Sequence, residues 1–534
     1  MTFASFLFFT ILVAGLSWWH TRRFDNRDAR TYYLAGRRLP WVQVAGGLLL
    51  TNLSTEQLIG LNGAAALHGM VVIAWDVVGA LALAVFAWWF LPRYWSGNIT
   101  TVPEFLEQRF DRATRRLMGA LMLGTLAFNL LPFVLYSGGV AMSAIFHLPA
   151  QTGLTPHTTA LLMALAISVI GCLYVLLGGM KAVALSDTLY GAGLIVGGLA
   201  IPVLALHALG GGNIAAGWAR VLAHQAPKLD PIGGPASNVP FGTLFTGMLL
   251  LNLFYWGANQ LIVQRSFGAA SFAEAQKGVL ATAGLKLLGP FYLALPGILA
   301  LELLGPAAIG NGDLAYAQLV DAVLPGWLTG FFAAVLLGSI ISSYNGGLHS
   351  AATLFSLDLY GAWLRPQADE AAKLRAGKLF ALGVAVVALA SSGWLADAPE
   401  GIFTLMKRIM AAFKLPLLAV VVAAMLSRRV PAWAAKGALV GGVGSHFLCE
   451  WLLGSGVIGL KLHWLHVGAI NTALLAGGLA LAAHLAPAAP RAEPVAVAGT
   501  TTELVPWRGL RWASGLLVIA CVAIYAGLWW LAKR

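Results

Sequence analysis

Six polar residues, Thr51, Asn52, Ser54, Thr55, Glu56 and Gln57, interrupt an apolar segment that runs over 41–67. The segment is long enough to span a bilayer, and its polar insert (LLLTNLSTEQLIG, 48–60) falls about halfway along it. Polar groups are costly in hydrocarbon and must face protein or a wet cavity. A helix broken there would free carbonyls able to hold a cation. A continuous helix whose polar side chains bond neighbouring helices fits the same residues. A second cluster is Asn252, Tyr255, Trp256, Asn259, Gln260 and Gln264 in LNLFYWGANQLIVQR. The first four are spaced three, one and three apart and are predicted to line one helical face. Amides bond hydroxyls and aromatic rings stack on C–H faces, a mixture suited to a sugar and also common between helices. The third cluster is Ser339, Ser342 and Ser343 in GSIISSYNGG, whose hydroxyls share a face and offer neutral oxygens to a monovalent cation. Serines also satisfy themselves on the backbone one turn earlier.

Ionisable residues fall inside apolar segments as well. Glu56, Asp76, Lys286, Lys407, Arg408 and Lys414 are deep, with Asp187 and Asp358 nearer the ends. Each must be met by a partner, an ion or substrate, and pairing of Lys286 with Asp76 is the internal alternative. His349, His446 and His484 stand singly and are expected to be packed and hydrogen-bonded rather than to ligate metal. Cys172, Cys449 and Cys521 have neither disulfide nor metal spacing.

The elements that must carry these groups follow from composition. The chain has 534 residues, 59% hydrophobic and 10% charged, with a mean hydropathy of +0.80. That is an integral membrane protein, and the absence of alternating patterns makes its spans helices. About fourteen apolar segments of spanning length run from 3–19 and 41–67 to 463–487 and 511–531. The 33 basic residues, against 21 acidic, collect in alternate gaps such as 20–40, 93–116, 365–378 and 428–436. This is positive-inside patterning rather than a nucleic-acid surface, and it puts both chain ends outside. The N-terminus has no basic residue before its apolar core and reads as an uncleaved span. An external Gly/Pro-rich loop at 210–237 is expected to carry a short helix at Ile214–Gln225, and 486–503 reads as a linker. The glycine clusters are not phosphate loops, and no soluble output domain is present.

Taken together, YYLAGRRLPW, TNLSTEQLIGLNG, TVPEFLEQRF, YVLLGGMKAVALSD, NLFYWGANQLIVQR, LKLLGPF and ISSYNGGLHSAATLFSLDLY occur in an order that resembles the solute:sodium symporter family, which contains the sodium/sugar cotransporters. The resemblance covers almost the whole chain. It implies an all-α alternating-access transporter with two inverted five-helix repeats. Residues 1–40 would be a first span and cytoplasmic loop, 41–208 repeat one, 209–238 the external loop, and 239–430 repeat two. Residues 431–534 would form three peripheral helices, with a linker at 486–510. The coupling ion, Na+, would sit between carbonyls of Leu50 and Leu53 and hydroxyls of Ser339, Ser342 and Ser343, with Asp187 near a second sodium site in some relatives. The solute set falls on Gln57, Asp76, Asn252 and Lys286, with Tyr255 as a gate, and Trp256 joins these candidates from the helical face read above. An aspartate stands at position 76 where similar symporters have glutamate, and Gly79 replaces a serine. Arg408 falls where neutral sugars meet a glutamine, with Lys407 beside it and Lys414 one to two turns on. A guanidinium cannot discard its charge and binds carboxylate or sulfate through two bonds. The expected solute is therefore an anionic sugar or sugar acid; pairing of Arg408 with Glu56 or Asp76, and a neutral sugar, is the alternative.

The expected function is sodium-driven import across the plasma membrane, the inner membrane of a bacterium, with no covalent chemistry. Sodium, the solute and lipid are the partners; nucleic acid is not, and a monomer would suffice. Rival readings are a symporter of the same fold for another solute, a membrane sensor or structural subunit, and a membrane enzyme, for which the chain offers no convergent acid/base or metal constellation.

Overall fold

Amides and carbonyls find no water in hydrocarbon, so an apolar chain of this kind has to satisfy them within its own helices. A computed structural model describes residues 1–21, 29–177, 179–310, 312, 314–395, 402–488 and 504–534. Among the described residues the chain is helical throughout, with one isolated bridge between Leu39 and Ala269. Among the described residues ten helices are long and apolar enough to cross a membrane, and a bent pair, Phe272–Lys286 with Pro290–Leu304 at 44°, brings the number to eleven. The fourteen segments expected from hydropathy exceed this for a physical reason. The segments at 41–67 and 239–264 are each interrupted midway, so none of their halves reaches spanning length unaided, and the segment at 432–456, built of Ala432–Cys449 and Glu450–Gly454 with Lys436 and Glu450 in it, is not among the eleven.

The first interruption separates Trp41–Asn52 from Thr55–His68. Leu53 leaves the helical region (φ −83°, ψ 55°) and Ser54 is extended (φ −74°, ψ 175°). The second separates Gly247–Gly257 from Gln260–Phe267, where Asn259 caps the new helix by accepting from the Leu261 amide. The freed Gly257 carbonyl accepts from the Tyr94 hydroxyl at 2.9 Å. Asn259 is therefore not on the helical face of Asn252, Tyr255 and Trp256, as the spacing had suggested. An amide side chain able to cap is also one that favours the break.

Two unbroken helices close the site. The serine helix, Gly326–Thr353, packs on Gly179–Leu209 so closely that a Cβ at Gly338 would lie 2.2 Å from Tyr190 Cγ. The lysine helix, Ile402–Leu426, contains Pro416 and packs on Gly247–Gly257. The expected short helix at Ile214–Gln225 is present; its Arg220, His224 and Gln225 all bond the Glu302 carboxylate. Most of the expected linker at 486–510, the basic residues Arg22, Arg23, Arg27 and Arg491, and the Glu56 side chain lie outside the described residues.

Candidate functional site

The halves before the two breaks, the lysine helix and Phe272–Lys286 surround a cavity of about 430 Å³, its mouth included. Of the residues expected to meet solute, Gln57, Asn252, Tyr255, Trp256, Lys286 and Lys407 all line it. Asn252, Tyr255 and Trp256 do so because they fall on one face of Gly247–Gly257. Gln57 lies just past the first break, is 4% exposed, and its Oε1 has no partner among the described residues.

Asp76 takes part from behind. It is fully buried at the start of Ala74–Val85 and accepts from Lys286 Nζ at 2.5 Å. Lys286 also donates to Asn52 Oδ1 at 2.6 Å, and its ammonium lies 5.5 Å from the Trp256 ring centroid. This is the internal pairing left open by the sequence. The ion pair fixes the lysine against the wall of the cavity while Asn52 carries part of its charge.

Arg408 does not line the cavity. It is directed at Glu450, with Nη2 at 2.7 Å and Nε at 3.2 Å from Oε1, and its side chain is 41% exposed. Successive helical residues are rotated by about 100°, so of two adjacent cations only one can face inward. That one is Lys407, whose ammonium lies 5.6 Å from the Trp75 ring centroid and 6.0 Å from that of Tyr255. Seven residues on, two turns along the same face, Lys414 also lines the cavity. Lys414, Asn52 and Trp75 were not among the expected solute residues. The seven-residue spacing marked Lys414 and the polar insert marked Asn52, whereas Trp75 carries no sequence signal.

The cation candidates gather at the first break. Leu50 and Leu53 are fully buried, and among the described residues no backbone amide returns to the carbonyls of Leu50, Thr51 or Leu53. The Thr51 carbonyl instead accepts from Ser343 Oγ at 2.9 Å, and the Thr51 and Ser342 hydroxyls lie 3.4 Å apart. The serine helix thus meets the broken helix through buried oxygens that are hard and neutral, a donor type suited to a monovalent cation. Ser339 differs. Its hydroxyl donates to Leu336 O at 2.8 Å, satisfying itself within its own helix. Asp187, from Gly179–Leu209, accepts from Arg265 Nη1 at 2.5 Å, and Arg265 Nη2 lies 3.5 Å from the Ser342 carbonyl. No spacing or motif joins Arg265 to this group. Among the described residues no cluster of three or more His, Cys, Asp or Glu could hold a metal ion. His349 packs against Tyr32 (centroids 4.9 Å apart, 16° between planes), but neither ring nitrogen has a partner among the described residues, contrary to expectation.

The chain can be compared with known proteins on this basis. The model of the sodium:solute symporter family matches residues 32–444. An uncharacterized symporter of Escherichia coli (strain K12), YidK, is 38% identical over 525 residues, covering 98% of this chain and 90% of that one. The sodium/glucose cotransporter of Vibrio parahaemolyticus is 30% identical over 417 residues, 73% of this chain and 74% of the relative. Among solved structures, a Na+-coupled sialic acid symporter in a substrate-bound outward-open state shares the fold, with a TM-score of 0.75 at 18% identity over 92% of this chain and 99% of that one. Mhp1, a nucleobase-cation-symport-1 family transporter, gives 0.56 at 14% identity, covering 86% and 96%. The chain belongs to the sodium:solute symporter family, and its work is transport rather than catalysis.

Proposed function

We propose that the chain imports an anionic sugar or sugar acid, such as a uronate, a sialic acid or a sulfated sugar, together with sodium by alternating access. The observation that carries the reading is that Lys286, Lys407 and Lys414 line one cavity with the amides of Gln57 and Asn252 and the rings of Trp75, Tyr255 and Trp256. Amides and rings suit a sugar, and a surplus of ammonium over carboxylate in the wall suits one with negative charge. The charge argument made for Arg408 passes to Lys407. The sodium/glucose cotransporter relative supports a sugar, and the sialic acid symporter shows that the fold accommodates an acidic one.

Sodium would bind where the carbonyls of Leu50, Thr51 and Leu53 face Ser342 and Ser343, with Asp187 beside a second site. Filling that cage would favour the state in which the broken helix and serine helix are joined, and so the state that binds solute. Coupling is then a difference in affinity between two states. The two broken helices would be the first helices of two inverted five-helix repeats, 41–208 and 239–430, within a fourteen-span chain whose ends both lie outside. A neutral sugar is the second reading, favoured by the Lys286–Asp76 pair, which meets one charge inside the protein. Uptake into proteoliposomes with and without an inward sodium gradient, with glucuronate and glucose in competition, decides between them. Accumulation of glucose unaffected by glucuronate would overturn the anionic assignment.

A further inference from the structure

A second cavity, about 410 Å³ with its mouth, adjoins the first and shares three wall residues with it, Tyr255, Met410 and Lys414. Its remaining wall includes Thr125, Leu126, Asn259, Gln260 and Leu354. It lies toward the basic loops: Gln260 Oε1 accepts from the Val102 amide at 2.9 Å and Nε2 donates to Thr100 O at 3.2 Å, both in the loop between Arg93 and Arg109. The lysine helix runs the same way. Lys407 touches only the first cavity, while Met410 and Lys414 touch both, and Lys414 lies about 10 Å further along the axis at 1.5 Å per residue. The Tyr255 ring stands between the cavities with the Lys414 ammonium 5.5 Å from its centroid and 2.7 Å from Met410 Sδ.

Thr125, Asn259 and Gln260 of the second cavity are engaged locally. Thr125 Oγ1 donates to Leu121 O at 2.7 Å, Asn259 Oδ1 accepts from the Leu261 amide at 3.3 Å, and Gln260 is held by the loop. Among the described wall residues Lys414 is the one lysine, arginine or carboxylate. An anion leaving the first cavity must give up Lys286 and Lys407, and doing so in a low-dielectric passage without a counter-charge is expensive. A flexible four-carbon stem lets one ammonium follow the anion past the tyrosine.

We propose that the second cavity is a release subsite, and that Lys414 is the residue that keeps contact with the anionic solute on both sides of Tyr255. The proposal rests on the anionic reading above. It predicts that Lys414 sets the rate of passage more than the affinity of the first cavity, because its ammonium stands at Tyr255 and Met410 on the wall the two cavities share, whereas Lys407 faces the first cavity alone.

The test uses the whole protein reconstituted in liposomes, with glucuronate and glucose as probes. Binding is measured at equilibrium in saturating sodium, and passage as exchange of labelled solute across the bilayer. Lys414→Gln is expected to slow glucuronate exchange by about tenfold or more while raising its dissociation constant by less than about threefold, the discrimination a charge contact permits. Lys414→Arg is expected to restore exchange, and Lys414→Gln should slow glucose exchange far less than it slows glucuronate exchange. Thr125→Phe, which narrows the second cavity and touches nothing in the first, should slow exchange with binding unchanged, and keeps the test open if Lys414→Gln does not fold. Equal losses in binding and exchange, equal slowing of both sugars, or exchange unchanged in the variants would overturn the release subsite. Wild-type protein that carries glucose and not glucuronate would overturn the anionic reading itself, and this proposal with it.

Discussion

Lys407→Gln and Arg408→Gln remove one positive charge each from neighbouring positions, yet the structure assigns them unequal effects. Lys407 is 9% exposed and its ammonium faces the cavity between Trp75 and Tyr255. A hydrogen bond from such a group to a carboxylate contributes about 1.5–3 kcal/mol. The Coulomb limit at 4 Å and an effective dielectric of 20, about 4 kcal/mol, sits above that range and does not constrain it further. Lys407→Gln should therefore raise the KM for glucuronate by about 10- to 150-fold, at 1.4 kcal/mol per factor of ten. Its effect on a neutral sugar should stay within about threefold, since the amide keeps a donor in place. Arg408 bonds Glu450 with its side chain 41% exposed, and an ion pair that accessible contributes about 0–1 kcal/mol, or less than about fivefold. Initial rates of uptake for both sugars at saturating sodium measure the two variants side by side. An Arg408→Gln defect for glucuronate as large as that of Lys407→Gln would refute the orientation, and an unchanged preference between the sugars in Lys407→Gln would refute the charge argument.

Three further outcomes follow from the packing. Lys286→Met or Asp76→Asn leaves the other member of a fully buried pair without its partner and should cost about 3–5 kcal/mol, seen as a lowered thermal midpoint in detergent. The double variant Lys286→Met/Asp76→Leu should recover much of that stability while transport stays lost. Gly338→Ala drives a methyl into the Tyr190 ring, and should lower stability by about 1–3 kcal/mol in the same melting assay. Replacing sodium by choline should lower the wild-type midpoint, by the equivalent of about 2.7 kcal/mol where sodium had stood at 100 times its dissociation constant.

The site was legible where polar residues stand against an apolar background. The insert from Thr51 to Gln57 marked a place where a helix either breaks or glues, and the structure breaks it at Leu53 and Ser54, opposite Ser342 and Ser343. The pairing of Lys286 with Asp76 was readable because each is costly in hydrocarbon alone. The direction of Arg408 was not, since an alignment fixes a position to within a residue while one residue rotates a side chain by about 100°. Nor was the second break: Asn252 to Asn259 fits an unbroken helical face, and the interruption is stabilised by distant residues, with Tyr94 donating to the Gly257 carbonyl and the Val102 amide donating to Gln260. Arg265 met Asp187 across 78 residues, a contact that spacing cannot supply. Fourteen apolar segments and ten or eleven spanning helices among the described residues differ for a related reason, because hydropathy counts apolar length and does not see where a helix breaks.

Coupling in this transporter requires sodium to be held where the broken helix meets the serine helix. The direct measurement is the initial rate of solute uptake into proteoliposomes as a function of external sodium, for wild type and Ser343→Ala. Ser343 is a small hydroxyl whose Oγ lies 2.9 Å from the Thr51 carbonyl, so alanine removes an oxygen and little else. Loss of one such ligand is worth about 1–3 kcal/mol, and the sodium concentration at half-maximal uptake should rise by about 5- to 150-fold with the maximal rate approached at high sodium. A Ser343→Ala curve that overlays the wild type would contradict the assignment.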